Sequence, residues 1–344
     1  MAGKPDDGVC TFGAEIMLKQ LAAIQAEMDG VSTADDIECI HRMRVASRRL
    51  RAAQELFDVC LPRRYVVGWE KRVRSITRSL GKARDLDIQI DAFREFHVTE
   101  EQPANQPGFK RLMTRLIQRR SQAQLKIHSA LTEFTTDRVI PRVQDRLTRS
   151  NSHQGKAYEG STPLRLVAYR AITEKLRSFL SYEPFIHIPE RKLELHAMRI
   201  AAKKLRYTLE IFAPIYPDEF RSWLRSIKEV QDQIGAIHDC DMWIDFLPKF
   251  LDAEKALALE FYGHSRPHYR IIPGVMVFYQ NRQATRDRSY QDFLEHWDML
   301  QKNKTWQRLI EHLEKYFPVE RTMIAEIKRP IQDSEVSDEN SADQ

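Results

Sequence analysis

Apolar residues return every three or four positions through long segments that are almost free of Pro and Gly and rich in Leu, Arg, Gln, Glu and Ala. That period marks amphipathic helices. It predicts helices over about 14–29, 34–60, 65–96, 109–147, 164–181, 190–212, 219–249, 252–262 and 275–316. Helix-breaking residues fall between them, at Pro62, Pro103, Pro107, Pro184, Pro189, Pro214, Pro217 and across Gly263 to Gly274. The expected architecture is all-α. Residues 332–344 carry Asp333, Glu335, Asp338, Glu339 and Asp343 with no basic residue, which predicts a disordered acidic tail.

The pattern also repeats. The segment from His41 through Arg44, Arg48, Arg49 and Arg51 returns 155 residues later as His196, Arg199, Lys203, Lys204 and Arg206. Glu55-Leu56-Phe57 then meets Glu210-Ile211-Phe212, and Pro62 meets Pro217; after one residue of slippage Trp69 meets Trp223. Leu80-Gly81-Lys82-Ala83-Arg84-Asp85-Leu86-Asp87 matches Ile234-Gly235-Ala236-Ile237-His238-Asp239-Cys240-Asp241. Gln118-x-Arg120 and Gln280-x-Arg282 form a weaker third correspondence. Two motifs in the same order at nearly constant offset imply an internal duplication of one helical bundle. The expected organisation is a first bundle over 12–148, a linker over 149–163, a second bundle over 164–316 and a C-terminal extension over 317–344. Equivalent helices of the two halves would meet across a pseudo-two-fold axis.

At 100° per residue, His41, Arg44, Arg48 and Arg51 fall within an arc of about 80°, opposite Met43, Ala46, Leu50, Ala53 and Phe57. The second copy sets His196, Arg199, Lys203 and Arg206 against Met198, Ala201, Leu205, Thr208 and Phe212. Each helix therefore carries a row of cationic or protonatable groups about 15 Å long, suited to a linear polyanion. Arg offers a planar fork of donors for phosphate oxygens, Lys a compact charge and His a donor whose charge grows on acidification. A basic stripe on a helix is ordinarily a solvated face, but a solvated face has no need to recur in a fixed residue order. Arg51 and Arg206 have alternative partners at i+4, Glu55 and Glu210, and Arg49 and Lys204 lie off the stripe. Arg49, Lys82, Arg120, Lys204 and Arg282 are secondary candidates for anion contact. Asp85, Asp87, Asp239 and Asp241 are read as structural carboxylates that orient the arginines; ligation of a hard cation is the alternative.

Composition narrows the classes. Charged residues make up 30% of the chain, no apolar run approaches the ~20 residues of a membrane span, and nothing in Met1 to Gly13 resembles a secretory leader. A cytoplasmic protein without membrane contact is expected. Gly is only 12 of 344 residues, too few for Gly-rich phosphate loops or sharply turning β architecture. The four cysteines form no C-x-x-C pair, so reduced, mostly buried thiols are expected rather than zinc ligands or disulfides. Basic residues number 54 against 49 acidic, but from His41 to Lys82 there are twelve against three. So many like charges in one bundle repel unless an anion or water relieves them.

The twin segments His41-x-x-Arg44-Val45-x-x-Arg48-Arg49-Leu50-Arg51 and His196-x-x-Arg199-Ile200-x-x-Lys203-Lys204-Leu205-Arg206, each followed by Gly-x-x-x-Asp-x-Asp, resemble the conserved histidine α-helical domain, CHAD, over roughly residues 12–316. The resemblance implies two four-helix bundles related by a pseudo-two-fold axis, with a basic central pore or groove that binds inorganic polyphosphate. It further implies association with polyphosphate granules and no established catalytic activity. By position the lining would be His41, Arg44, Arg48, His196, Arg199 and Lys203, with Arg51 and Arg206 alongside. The chain departs from the pattern at His238, which stands where the first copy has Arg84. No appended triphosphatase strand is found.

Two other functions compete. The same cations would neutralise a nucleic-acid backbone, but the stripes lack the aromatics on which bases stack, Tyr207 being the only neighbour. His238-Asp239 resembles the dipeptide of metal-dependent helical phosphohydrolases, yet the first copy has Arg84-Asp85, and arginine is no metal ligand. The reading is therefore non-catalytic binding of polyphosphate, with phosphate or sulfate as weak mimics, nucleic acid as alternative partner, and neither metal nor cofactor.

Overall fold

The computed structural model describes residues 7–33, 37–61, 63–100, 102–136, 138–152 and 162–316, and the acidic tail and most of the expected linker lie outside them. Among the described residues there are helices and no strands. The first half contains α1 (Asp7–Ala26), α2 (Met28–Thr33), α3 (Ile37–Leu56), α4 (Arg63–Val98), α5 (Gln106–Thr136) and α6 (Val139–Ser152). The second contains α7 (Thr162–Leu180), α8 (Lys192–Phe212), α9 (Arg221–Tyr262), a single turn α10 (Arg266–Tyr269), α11 (Ile272–Lys302) and α12 (Thr305–Tyr316).

The packing order recurs. In the first half α3 lies between α1 and α4, α5 packs on α4, and α6 folds back on α1 and α4; in the second, α8 lies between α7 and α9, α11 packs on α9, and α12 folds back on α7 and α11. The halves meet by matching helices, α1 against α7, α3 against α8 and α5 against α11. Met43, Ala46, Leu50 and Ala53 of α3 are buried, as are Met198, Ala201, Leu205 and Thr208 of α8, so the apolar faces read from the sequence do point inward. At one end of the seam Phe57 and Phe212, which hold equivalent positions, approach to 6.0 Å between ring centroids with Phe12 of α1 against both. At the α5–α11 contact a Cβ on Gly108 would meet the Ile271 carbonyl oxygen and stand 3.1 Å from the Gly274 Cα, so the backbones approach only because both residues lack side chains.

Several sequence expectations change. The predicted helix 109–147 is two helices, and so is 275–316: Lys304 takes a left-handed φ of 52°, turning the chain so that Trp306 packs on Phe179. The predicted segments 219–249 and 252–262 form one helix through Pro248, held by Trp243, Leu247 and Phe250 buried on both sides of the proline. Trp69 is a core residue, whereas Trp223 is half-buried and donates through Nε1 to the Thr305 carbonyl. The cysteine expectation holds for Cys39 and Cys240, buried thiols outside the disulfide, but fails for Cys10 and Cys60, which form one. Residue spacing carried no sign of that pair, because folding alone brings the start of α1 beside the turn after α3.

Candidate functional site

The α3–α8 seam brings the two basic rows together. His41, Arg44, Arg48, Arg51, His196, Arg199, Lys203 and Arg206 are all half-buried, whereas Lys204, off the stripe, is exposed. The stripes are therefore not a solvated face. Arg44 and Arg48 of α3 act electrostatically on Lys203 of α8, and Arg48 acts on Arg199, so cations of both halves share one field.

Two carboxylates offset part of this charge. Asp85 Oδ1 lies 3.5 Å from Arg44 Nη2, and at the matching place Asp239 Oδ1 lies 3.9 Å from Arg199 Nη2. The glycine preceding each makes room: a Cβ on Gly81 would sit 3.8 Å from Arg44 Nε, and one on Gly235 3.7 Å from Arg199 Nε. Any longer side chain would enter the space of the guanidinium. Both Nε atoms are buried without a hydrogen-bond partner among the described residues.

Crowding shows in the acid–base properties. Burial, with Arg199, Arg48 and Arg44 around it, lowers the Lys203 ammonium to about 6, and burial beside Arg48 lowers Arg44 to about 10. Burial also lowers Arg199 and raises Asp239. His41 is lowered by burial and by Arg84. Where the first half pairs His41 with Arg84, the second pairs His196 with His238, their Nδ1 atoms 3.1 Å apart. Burial, Arg199, His196 and Lys203 hold His238 down to about 3.

The remaining sequence candidates separate. Arg49 Nε donates across the seam to Glu210 Oε2 at 2.7 Å, and Arg206 Nε stands 3.4 Å from Glu210 Oε1. Arg51 and Lys204 surround Glu55, which accepts a hydrogen bond from Lys175 of α7. Asp87 and Asp241 are buried and turned from the stripes: Arg120 donates to Asp87 at 2.6 Å, and Arg286 to Asp241 at 2.7 Å. Arg120 thus joins α5 to α4 rather than reaching the seam, and its structural counterpart is Arg286, not Arg282. Arg282 stacks on Phe278 and donates to Asn281. The motif offset does not point to Arg286, because α9 extends to Tyr262 past Asp241 whereas α4 ends at Val98 past Asp87, and that longer helix shifts the spacing. Lys82 is exposed on α4. A separate cavity of about 630 Å³ lies between α5, α9 and α10, where buried Glu254 engages Arg111 and Arg115. Among the described residues no three His, Cys, Asp or Glu side chains are grouped to hold a metal, and no helix is long and apolar enough to cross a membrane.

With this geometry in view, the profile of the CHAD domain matches residues 15–248, about two thirds of the chain. The chain belongs to the CHAD family. Solved structures share the CHAD fold seen here. The crystal structure of the CHAD domain from the plant Ricinus communis is similar with a TM-score of 0.59 and 21% identity, covering 86% of this chain and 93% of that one. PptA from Streptomyces chartreusis is similar with a TM-score of 0.52 and 12% identity, covering 84% and 99%. No curated protein matches this chain. Both motif segments lie inside the matched CHAD region, whereas Glu254, α10, α11 and α12 lie beyond it.

Proposed function

We propose that this chain binds inorganic polyphosphate in the basic groove between α3 and α8, without catalysis of its own. The observation that carries the reading is the half-burial of eight cationic or protonatable side chains, four from each half, beside the carboxylates Asp85, Asp239, Glu210 and Glu55, of which Glu210 and Glu55 are already engaged by Arg49 and Lys175. Such an arrangement costs folding energy that a linear polyanion would offset. Tyr207, the aromatic side chain next to Arg206 of the second stripe, is buried and unable to stack a base, which favours a ligand without bases. The second half's His238-Asp239 has Arg84-Asp85 as its counterpart, so no pair of catalytic groups recurs in both halves. Attachment to polyphosphate granules in the cytoplasm would follow from such binding, and orthophosphate or sulfate would bind weakly because each engages few cations.

The test is a competition titration near physiological salt. Labelled long-chain polyphosphate is displaced by unlabelled polyphosphate, single-stranded DNA or transfer RNA, with wild type and the variant Arg44→Ala/Arg48→Ala/Arg199→Ala/Lys203→Ala. Preference for polyphosphate, lost in the folded variant, is expected. Equal displacement by nucleic acid, or a variant that binds like wild type, would overturn the reading. Phosphate release that stops on chelation would restore the phosphohydrolase alternative.

A further inference from the structure

The basic rows of α3 and α8 do not end at the seam. On α9, Arg221, Arg225 and Lys228 are exposed, and at 100° per residue they share one helix face with Gly235 and Asp239. Gly235 and Asp239 are the residues that pack on Arg199 and pair with it. Arg221, Arg225 and Lys228 line a groove of about 460 Å³ whose opposite wall includes Arg206 of the central stripe. Its two carboxylates are occupied, Glu210 by Arg49 and Arg206, and Asp218 by Arg221 at 3.2 Å. Lys228 donates to Asp232 at 2.8 Å, and Arg225 makes no ion pair within the described residues. The groove therefore keeps a positive surplus.

The first half carries a matching row of cations, in which Arg74 pairs with Glu70. Lys71, Arg74 and Arg78 are exposed on the face of α4 that bears Gly81 and Asp85, which touch Arg44. Lys71 and Arg74 occupy the positions of Arg225 and Lys228 in the offset that aligns Gly81 with Gly235.

We propose that these rows are outer tracks for the same polyanion, leading away from the central groove along α9 and α4, so that affinity depends on chain length. The inference rests on the polyphosphate reading and adds to it the residues that select long chains. From Asp239 to Arg221 the track runs about 27 Å along α9. A ligand of a few phosphates fills the centre and reaches none of it. A long chain held at the centre presents its ends to the outer cations at high effective concentration, and each phosphate neutralised there releases counterions.

The test compares tripolyphosphate with long-chain polyphosphate, each titrated at several salt concentrations. The variant Arg221→Gln/Arg225→Gln/Lys228→Gln removes exposed charges and leaves the core intact; Lys249→Gln/Lys255→Gln/Arg270→Gln removes three exposed charges from elsewhere on α9 and the turn after it. For the track variant, the long chain should lose about tenfold in affinity and its salt slope should fall by about two, while tripolyphosphate changes less than twofold. The control should shift neither ligand by more than about twofold. An unchanged long-chain affinity, equal losses for both ligands, or a control as impaired as the track variant would overturn the inference. If wild type binds neither ligand, the central reading fails with it; if the quadruple alanine variant abolishes binding while the track variant is silent, only the outer tracks fall.

Discussion

Lys203 offers the sharpest quantitative test of the groove. Its ammonium faces Arg199 on its own helix, Arg44 and Arg48 on α3, the carboxylate of Asp85 on α4 and Asp239 and His238 on α9, and burial among these cations lowers its pKa to about 6. At pH 7.5 the free protein would then carry this lysine about 3% charged. A polyphosphate chain brings negative charge to the same place and restores the amine toward its ordinary value of about 10.5. The complex holds more protons than the free protein in the window from pH 6 to 10.5, so affinity must fall as pH rises through it. Lys203 alone accounts for a loss of about 50-fold between pH 6 and 8, with close to one proton taken up per complex near pH 7.5. Isothermal titration in Tris and in HEPES, whose ionisation heats differ, reads that proton directly. Lys203→Arg, which keeps its charge throughout, should bind at pH 8 at least as tightly as wild type and lose the uptake. Wild-type binding that is flat from pH 6 to 8 with no proton uptake would refute the reasoning. His41 and His238 are lowered in the free protein as well, but an imidazole restored to its ordinary value of about 6.5 is largely neutral at pH 8, so the pH 8 arm reads Lys203.

Lys203→Met should raise the Tm of the ligand-free protein by a few degrees at pH 7 while weakening polyphosphate binding, because it removes a buried amine that folding must discharge; a lowered Tm in a thermal melt would contradict this. Gly108→Ala should destabilise the protein by about 1–3 kcal/mol in urea unfolding, since the added methyl meets backbone of Ile271 and Gly274 rather than a movable side chain. Reducing Cys10–Cys60, which closes a separation of 50 residues, should cost about 4 kcal/mol by the chain-entropy relation, and the double variant Cys10→Ser/Cys60→Ser should be insensitive to dithiothreitol; four titratable thiols in unfolded, unreduced protein would show that the bond does not form.

The helical class, the stripes and the element Gly-x-x-x-Asp-x-Asp were legible in the chain because each is a local property. Helix periodicity needs only neighbouring residues, and a motif that recurs in order needs no coordinates to be noticed. The departure at His238 was visible for the same reason, and in space it becomes the His196–His238 pair in place of His41 beside Arg84. Less legible were features that depend on where helices end or what lies across a seam. Helix α9 continues past Pro248 because apolar residues on both sides of the proline are buried, and the break at Lys304 is set by the docking of Trp306.

The sequence by itself determined that this is a helical protein with two matched cationic rows, since composition, period and order suffice for that. Only the tertiary structure decided that the rows are half-buried and share one electrostatic field, that Asp85 and Asp239 serve the stripes while Asp87 and Asp241 bind Arg120 and Arg286, and that Arg49 ties the halves together through Glu210. The physical reason is that burial, charge pairing and pKa depend on distances between segments 33 to 161 residues apart in the chain, and those distances are products of packing.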